Sequence, residues 1–332
     1  MQVAHPQPHP PIGHLEPEDE RKLGAPLKDF LRRWIRIPDA DVKWAKLVVQ
    51  HVLTNAPFKP DWIFTSAPPE SLFLAGAKLK QAFGAKWACD FRDHWFEQPH
   101  FSLRETKFRQ FIEKAWLAQY RSHLDMGIAV NDLIAQEYSN LFGTSILTIP
   151  HFTVSKPVIR PALNDDHKHI VHVGRFSLSD PNCQIDDLLN CFESVAKSAP
   201  HLRLHLVGAL SAEEISKGEA SCMRKQIIRV GVVPMEQALG YLEVADALAL
   251  VGASDATAPP SKAVEYAKAG KPTLFFSQAA WVDKMAGADY NPKIELRHIA
   301  NGKSGGTVLP APQDHIAAGQ QVYDALLAKL PS

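Results

Sequence analysis

Three groups of residues carry types and spacings that suit chemistry. The first lies in residues 258–276, APPSKAVEYAKAGKPTLFF. Pro259-Pro260-Ser261-Lys262 reads as a loop feeding a helix over 263–269, because proline fits the first helical turn. Gly270 is a natural helix stop, and 273–276 reads as a buried strand. A helix N-terminus presents unpaired N–H groups and the positive end of the peptide dipoles, which together suit a phosphate. Lys262 adds a full charge there. Glu265 lies three positions after Lys262 and four after Ser261, so these residues share one helix face. Such a face can hold a diphosphate near its tip and accept hydroxyl hydrogen bonds one turn deeper. The same residues also describe a plain surface helix in which Glu265 pairs with Lys262 or Lys268.

The second group is Gly174-Arg175, directly after the apolar run 169–173. A phosphate would lie at such a strand end, and the arginine fork can give it two hydrogen bonds. A turn glycine followed by a solvent-facing arginine reads equally well. The third group is Asp90-Phe91-Arg92-Asp93-His94-Trp95, which closes the run 85–91. Acid, base and imidazole at a strand terminus can bind sugar hydroxyls or move protons. The competing account is a structural ion pair between Arg92 and an aspartate. Ser66-Ala67-Pro68-Pro69 ends the neighbouring strand as a loop and could line the same cleft.

Composition bounds what these groups can serve. The 332 residues suit two ordinary domains, and 45% hydrophobic with 22% charged residues marks a globular chain. Lys and Arg number 36, and so do Asp and Glu, so the balance argues against bulk nucleic-acid binding. Cys89, Cys183, Cys191 and Cys222 are scattered, with no zinc-like spacing, which fits a reducing compartment and a cytoplasmic location. No run of about 18 apolar residues is present, and the start MQVAHPQPHPPIGH lacks a signal-peptide core. His5, His9 and His14 fall in that proline-rich leader rather than in a metal pattern. Residues 27–37, LKDFLRRWIRI, interleave arginines with apolar residues. They suit either an anionic membrane face or an ordinary amphipathic helix. Asp39-Ala40-Asp41 has the spacing of a metal-binding acid pair, but no strand precedes it. There is no G-x-G-x-x-G and no G-x-S-x-G, and Gly302-Lys303-Ser304 lacks the first glycine of a P-loop, which Arg297 replaces.

The elements that must position these groups alternate regularly. Strands are expected at 62–65, 85–91, 126–130 and 145–149, with helices at 70–83, 104–124 and 132–142. Residues 154–168 carry prolines and charges without periodicity and read as a linker. Strands then follow at 169–173, 202–207, 227–230, 247–251 and 273–276. Helices are expected at 185–198, 211–225, 234–244 and 261–269, with a closing helix at 313–330. The expected fold is therefore α/β: an irregular, partly helical segment 1–56, a Rossmann-like domain 57–153, the linker 154–168, a second Rossmann-like domain 169–310, and a closing segment 311–332. Parallel sheets facing a central cleft would place ligands at the carboxyl ends of the strands.

Taken in order, several segments resemble the family 4 retaining glycosyltransferases of the GT-B fold, most of all those that build bacterial surface polysaccharides. They are PDWIFTSAPPESLFLAGAKLKQAFGAKWACDFRDHW, VNDLIAQEYSNLFG, HVGRFS, HLRLHLVG, IIRVGVVPMEQALGYLEVADALALV and APPSKAVEYAKAGKP, spread over residues 57–310. The resemblance implies transfer of a sugar from a nucleotide sugar to a glycan or lipid-linked acceptor, without a metal or other cofactor. By position it assigns Arg175, with Gly174, Ser261 and Lys262, to the donor diphosphate and Glu265 to the ribose. Gly231 and Val232 fall to the base, and Asp93, Asp90 and Arg92 to the transferred sugar and acceptor. The chain departs from the family at Thr257, where a second glutamate is usual, and at 179–184, where a lysine is usual. Residues 1–56 also hold no apolar strand followed by a glycine-rich loop, which points to a truncated or degenerate N-terminal half. Two further readings stay open. One is a non-catalytic protein that binds sugar nucleotide or a partner transferase. The other is a sugar-nucleotide epimerase, marked by turnover without acceptor.

Overall fold

The computed structural model describes residues 36–97, 106–153, 156–163, 166–256 and 258–329. Thr257 and most of the arginine-rich segment 27–37 lie outside the described residues. The chain forms two compact units, one built from residues up to 150 together with 316–329, the other from 151–315.

In the first unit α1 (Val42–Asn55) precedes β1 (Trp62–Ala67), α2 (Leu72–Phe83), β2 (Lys86–Phe91), α3 (Lys107–Leu117), β3 (Met126–Ala129), α4 (Asp132–Phe142) and β4 (Ile146–Thr148). The four strands are parallel and lie in chain order, β1-β2-β3-β4. Two expectations need correcting. Ser66 and Ala67 are strand residues, paired with Asp90 and Phe91, because the β1 ladder runs on to the prolines. The helix expected over 104–124 ends at Leu117 and gives way to a 3-10 turn at Arg121–His123. Its buried positions Arg109, Glu113 and Leu117 keep helical spacing only that far. Helix α4 starts where the Asn131 side chain accepts from Ile134 N and stops at left-handed Gly143. Around Phe73 the core is aromatic: Trp87, Phe91, Trp95, Tyr138 and Phe142 all meet it.

The second unit begins with the short β5 (Phe152–Thr153) and continues through β6 (Lys168–Val173), α5 (Asp186–Ala196), β7 (Leu202–Val207), α6 (Ala212–Ala220), β8 (Ile227–Gly231), α7 (Met235–Val244) and β9 (Ala247–Val251). Then come α8 (Ala263–Ala269), β10 (Pro272–Phe276), α9 (Trp281–Ala286), α10 (Pro292–Ala300), β11 (Thr307–Val308) and β12 (Gln313–Asp314). Residues 156–163, part of the expected linker, run along α7: Ile159 N donates to Glu236 O at 2.9 Å, and a Cβ on Gly240 would strike Ile159 O. The six-stranded sheet has the order β11-β10-β9-β6-β7-β8, parallel except for β11. Every residue of β9 is buried, as a strand covered on both faces requires. Ile170, Leu204, Ala249 and Leu274 face one cluster, and Val171, Leu248, Leu250 and Phe275 face the other. The last helix, α11 (His315–Leu327), packs its Ala318 with Ala88, Met126, Ile128 and Ile149 of the first unit's core.

Candidate functional site

Strand order picks out one place in the second unit. The chain runs β6, β7, β8 towards one edge of the sheet, then returns to place β9 on the other side of β6. Loops leaving the carboxyl ends of β6 and β9 therefore diverge, and such a reversal opens the crevice in which ligands of open α/β sheets sit. The loop after β6 carries Gly174-Arg175, and the loop after β9 leads to Ser261-Lys262. In the first unit the described strands follow chain order, so among the described residues no equivalent reversal arises.

Backbone geometry clears the floor of this site. Gly174, Gly208 and Gly231 end β6, β7 and β8 with φ of 130°, 134° and 81°. Gly174 N donates to Val207 O and Gly208 N to Gly231 O, each at 2.8 Å, so the strand ends stay laddered beyond the sheet. A Cβ on Gly208 would lie 2.1 Å from Gly174 O, a contact that only glycine avoids.

Tyr266 fixes the helix above this floor. It is the buried residue of α8, and its hydroxyl accepts from Val173 N at 2.9 Å while donating to Ala249 O at 3.2 Å. One side chain thus ties the helix to β6 and β9 together. Burial pushes the Tyr266 phenol up, so it stays a neutral donor. Lys262, four positions earlier on the same face, then reaches Gly174-Arg175: its Nζ donates to Arg175 O at 3.2 Å and lies 6.0 Å from the Phe176 ring centroid. Under that ring stacks His172, with centroids 4.1 Å apart, its Nδ1–H donating to Ala249 O at 2.9 Å. Burial, and then the Lys262 charge, holds His172 well below its ordinary value, so it is neutral. Burial likewise lowers the Lys262 ammonium.

The charge pattern follows. Among the described residues Lys262 makes no ion pair, and exposed Arg175 makes neither an ion pair nor a side-chain hydrogen bond. Among the described residues half-buried Glu265 forms no ion pair with Lys262 or Lys268. A half-dehydrated ammonium resting on the loop that carries an exposed arginine, with no carboxylate paired to either among the described residues, is a place for an anion. The helix itself starts at Ala263, after Lys262, and spans seven residues. The side-chain cations, rather than a long helix dipole, therefore supply most of the attraction. Ser261 is exposed in the turn before the helix, and Val232, after β8, is 77% exposed.

Glu214 holds the loop that bears Arg175, through Ser177, and is absent from the sequence reading. It is 2% exposed, and its Oε1 accepts from both Ser177 N (2.9 Å) and Ser177 Oγ, while Oε2 accepts from Ser211 N (2.7 Å). This is the capping box of α6, Ser211-x-x-Glu214, extended to hold the loop 174–177. The motif was readable; its reach to Ser177 was not.

In the first unit the predicted acid–base residues lie at the end of β2 and just beyond it. Asp90 accepts from Ser66 Oγ at 3.1 Å, linking the ends of β1 and β2. Arg92 and Asp93 are exposed, and no Arg92–aspartate ion pair forms among the described residues. The next residues turn inward. His94 Nδ1 lies 2.6 Å from Glu137 Oε2, and Glu137 Oε1 accepts from Trp95 N and Phe96 N. Trp95 Nε1 donates to Glu113, which also receives Arg109 Nε. His94, Glu97 and Glu137 offer ligand atoms within 4.8 Å of one another. Both Glu137 oxygens are already committed, so the group reads as the anchor of the segment after β2.

Two consecutive α/β units with parallel sheets place the chain in the Rossmann-like, GT-B class of folds. Among solved structures it is similar to a putative UDP-N-acetylglucosamine 2-epimerase from Listeria monocytogenes, at 11% identity over 87% of this chain and 80% of that one, with a TM-score of 0.53. It is also similar to a UDP-forming α,α-trehalose-phosphate synthase from Burkholderia xenovorans, at 13% identity over 80% and 70% of the two chains, TM-score 0.51. TarM of S. aureus, solved with UDP, matches at 14% identity and a TM-score of 0.49; 86% of this chain spans 56% of TarM. The fold assignment rests on the first two. No protein-family model matches the chain, and no curated protein matches it. Among the described residues no helix is long and apolar enough to cross a membrane.

Proposed function

We propose that the protein is a glycosyltransferase that moves a sugar, with retention, from a nucleotide donor to a glycan or lipid-linked acceptor in surface-polysaccharide assembly. The observation that carries this reading is the pair of unneutralised cations, Arg175 and Lys262, at the strand-order reversal of the second unit. Nucleotide sugars bring a diphosphate, and the neighbours with a TM-score above 0.5 are named for UDP-sugar chemistry.

In this reading Arg175, Lys262 and Ser261 hold the diphosphate over the glycine floor, Glu265 accepts from the ribose hydroxyls, and the base lies along Gly231 and Val232. The bond from the sugar's anomeric carbon to the diphosphate breaks as the acceptor oxygen bonds to that carbon from the same face. The acceptor's proton ends on the released diphosphate. Charge that develops on the leaving group meets fixed cations, the role a metal fills elsewhere. Asp93, Asp90 and Arg92 serve the sugar and acceptor, and the site works in the cytoplasm, at the inner membrane face when the acceptor is a lipid.

Thermal-shift titration with nucleoside diphosphates and their sugars tests this. At least one should stabilise the protein. Arg175→Ala should weaken that ligand about tenfold or more, as loss of a charged hydrogen bond of roughly 1.5–3 kcal/mol requires. No stabilisation by any of them, with Glu265→Ala indistinguishable from wild type, would overturn the proposal. Product analysis separates the alternatives: epimerised donor without acceptor marks an epimerase, and binding without any turnover marks a non-catalytic protein.

A further inference from the structure

The carboxyl end of β10, in the second unit, holds a cavity that the sugar-transfer reading does not use. Strand β11 pairs only with Pro272 and Thr273, so among the described residues the outer edge of β10 is open from Leu274 onward. Tyr290 closes part of that edge. Its hydroxyl accepts from Phe275 N at 2.7 Å, and its ring lies 5.5 Å from the Phe275 ring. Burial pushes the Tyr290 phenol up, so it stays neutral there. Beyond the strand the chain turns at Ser277, whose Oγ donates to Ala253 O at 2.9 Å and accepts from Ala279 N at 3.2 Å. Between this turn and the starts of α5, α9 and α10 lies a space of about 320 Å³. Pockets that enclose small organic ligands begin at about this size, roughly 300 Å³.

The lining divides by kind. Phe276, Val282, Pro292 and the Tyr290 ring give apolar walls, while Asp187 and Asp283 give charge. Among the described residues no lysine, arginine or histidine lines the space. Each aspartate sits in the first turn of its helix, where an acid is ordinary. Here two such turns from separate helices open on one apolar cavity. Among the described residues neither carboxylate forms an ion pair or a side-chain hydrogen bond, whereas neighbouring Asp186 is taken by Lys217 at 2.9 Å.

We infer that this cavity is a second ligand site, for a small organic cation with a compact apolar body. The body displaces water from Phe276, Val282 and Pro292, and the ammonium or guanidinium meets the Asp187 and Asp283 carboxylates. Low-dielectric walls focus the field of two like charges, so the cavity gathers cations and turns anions away. A bare metal ion would gain nothing from the apolar walls, and a diphosphate would meet two carboxylates. The site is thus opposite in sign to the one at Arg175 and Lys262. It does not depend on sugar transfer, and the two can fail separately.

Calorimetric titration of the full chain with benzylamine, phenylguanidine and cyclohexylamine tests it, with benzyl alcohol and benzoate as the neutral and anionic controls. At least one cation should bind saturably and more weakly at high salt, since both carboxylates are exposed. Benzyl alcohol should bind at least about tenfold more weakly than that cation, and benzoate not at all. Asp187→Asn/Asp283→Asn keeps the shape and should weaken the cation at least about tenfold. Its melting temperature and its response to nucleoside diphosphates should match wild type. A second variant, Asp283→Lys, should abolish cation binding and admit benzoate. Arg175→Ala should leave cation binding unchanged, which separates this site from the proposed donor site. Failure of all three cations to saturate, benzyl alcohol binding as tightly as the cation, or undiminished binding in the Asn pair would each overturn the inference. So would loss of binding in Arg175→Ala, or saturable binding of methyl glucoside with none of the cations.

Discussion

Lys262 lies half-buried between the Phe176 ring and the Arg175 carbonyl, with no carboxylate paired to it. Dehydrating an ammonium that has no ion-pair partner among the described residues destabilises the folded chain, so the charge is held there against stability. Lys262→Met keeps the stem over Phe176 and removes the charge. The unliganded variant should melt at the wild-type temperature or above it, while the shift induced by a nucleoside diphosphate should collapse; parallel melting curves measure both. At this scale the sequence was partly legible. Arg175 stood out because it follows an apolar run, and Lys262 because it sits at a helix start after two prolines. His172, Phe176 and Tyr266 did not, because their contacts cross between strands and a helix distant in sequence. Ser261 and Glu265 were readable as one face, yet the pairing expected between Glu265 and a lysine does not occur. Arg92 and Asp93 are exposed, and no Arg92–aspartate ion pair forms among the described residues.

Elements carry two further expectations. Glu214 holds three donors from the loop 174–177 and from the start of α6. Glu214→Ala would leave these donors without their acceptor and should cost about 1–3 kcal/mol, read as a lower urea midpoint. Because the same loop bears Arg175, diphosphate affinity should fall as well, whereas a purely structural tie would lower stability alone. The second concerns β6 and β7, where His169 Nδ1 and His205 Nε2 meet at 2.9 Å in the buried sheet. Burial, then the charges of His169 and Arg203, takes His205 down to about 4. A histidine with a lowered folded value contributes stability that is complete above its ordinary pKa of about 6.5 and is lost as pH falls through about 4. The loss is on the order of 3 kcal/mol for the full shift. Denaturation midpoints measured from pH 7 to 4 should fall accordingly, and His205→Leu should flatten the curve. Strands such as 202–207 and 247–251 were read to the residue, since long apolar runs end sharply at turn residues. Helices α9 and α10 went unread, although Asn291 at the cap and Pro292 at the first turn are start signals. Short helices leave too few turns for periodicity to show.

For the whole molecule, topology decides where a ligand belongs, and no single segment of sequence reveals it. The alternation of strands and helices announced two parallel sheets. The reversal between β6 and β9, and the unreversed order of the described strands in the first unit, appear only once the strands are paired. Bound diphosphate should therefore slow amide exchange most at the ends of β6, β7, β8 and β9 and around residues 258–266, and least in β2 and β3. Exchange mass spectrometry reads this directly. Uniform protection of both units, or protection centred on the first, would count against the site described.

The glycine floor also sets how such a protein could be retuned. Position 208 admits no side chain, since its Cβ would meet the carbonyl of Gly174, and Gly174 and Gly231 hold backbone angles that other residues resist. Diversity selected in a library would therefore be silent at these positions and concentrate where side chains already point outward. Val232 and Met235, both at least half exposed beside the end of β8, are under the proposed function the places to vary for a new nucleotide preference. Under the proposed function, a library confined to that pair should change which donor is held while leaving the proposed phosphate surface intact.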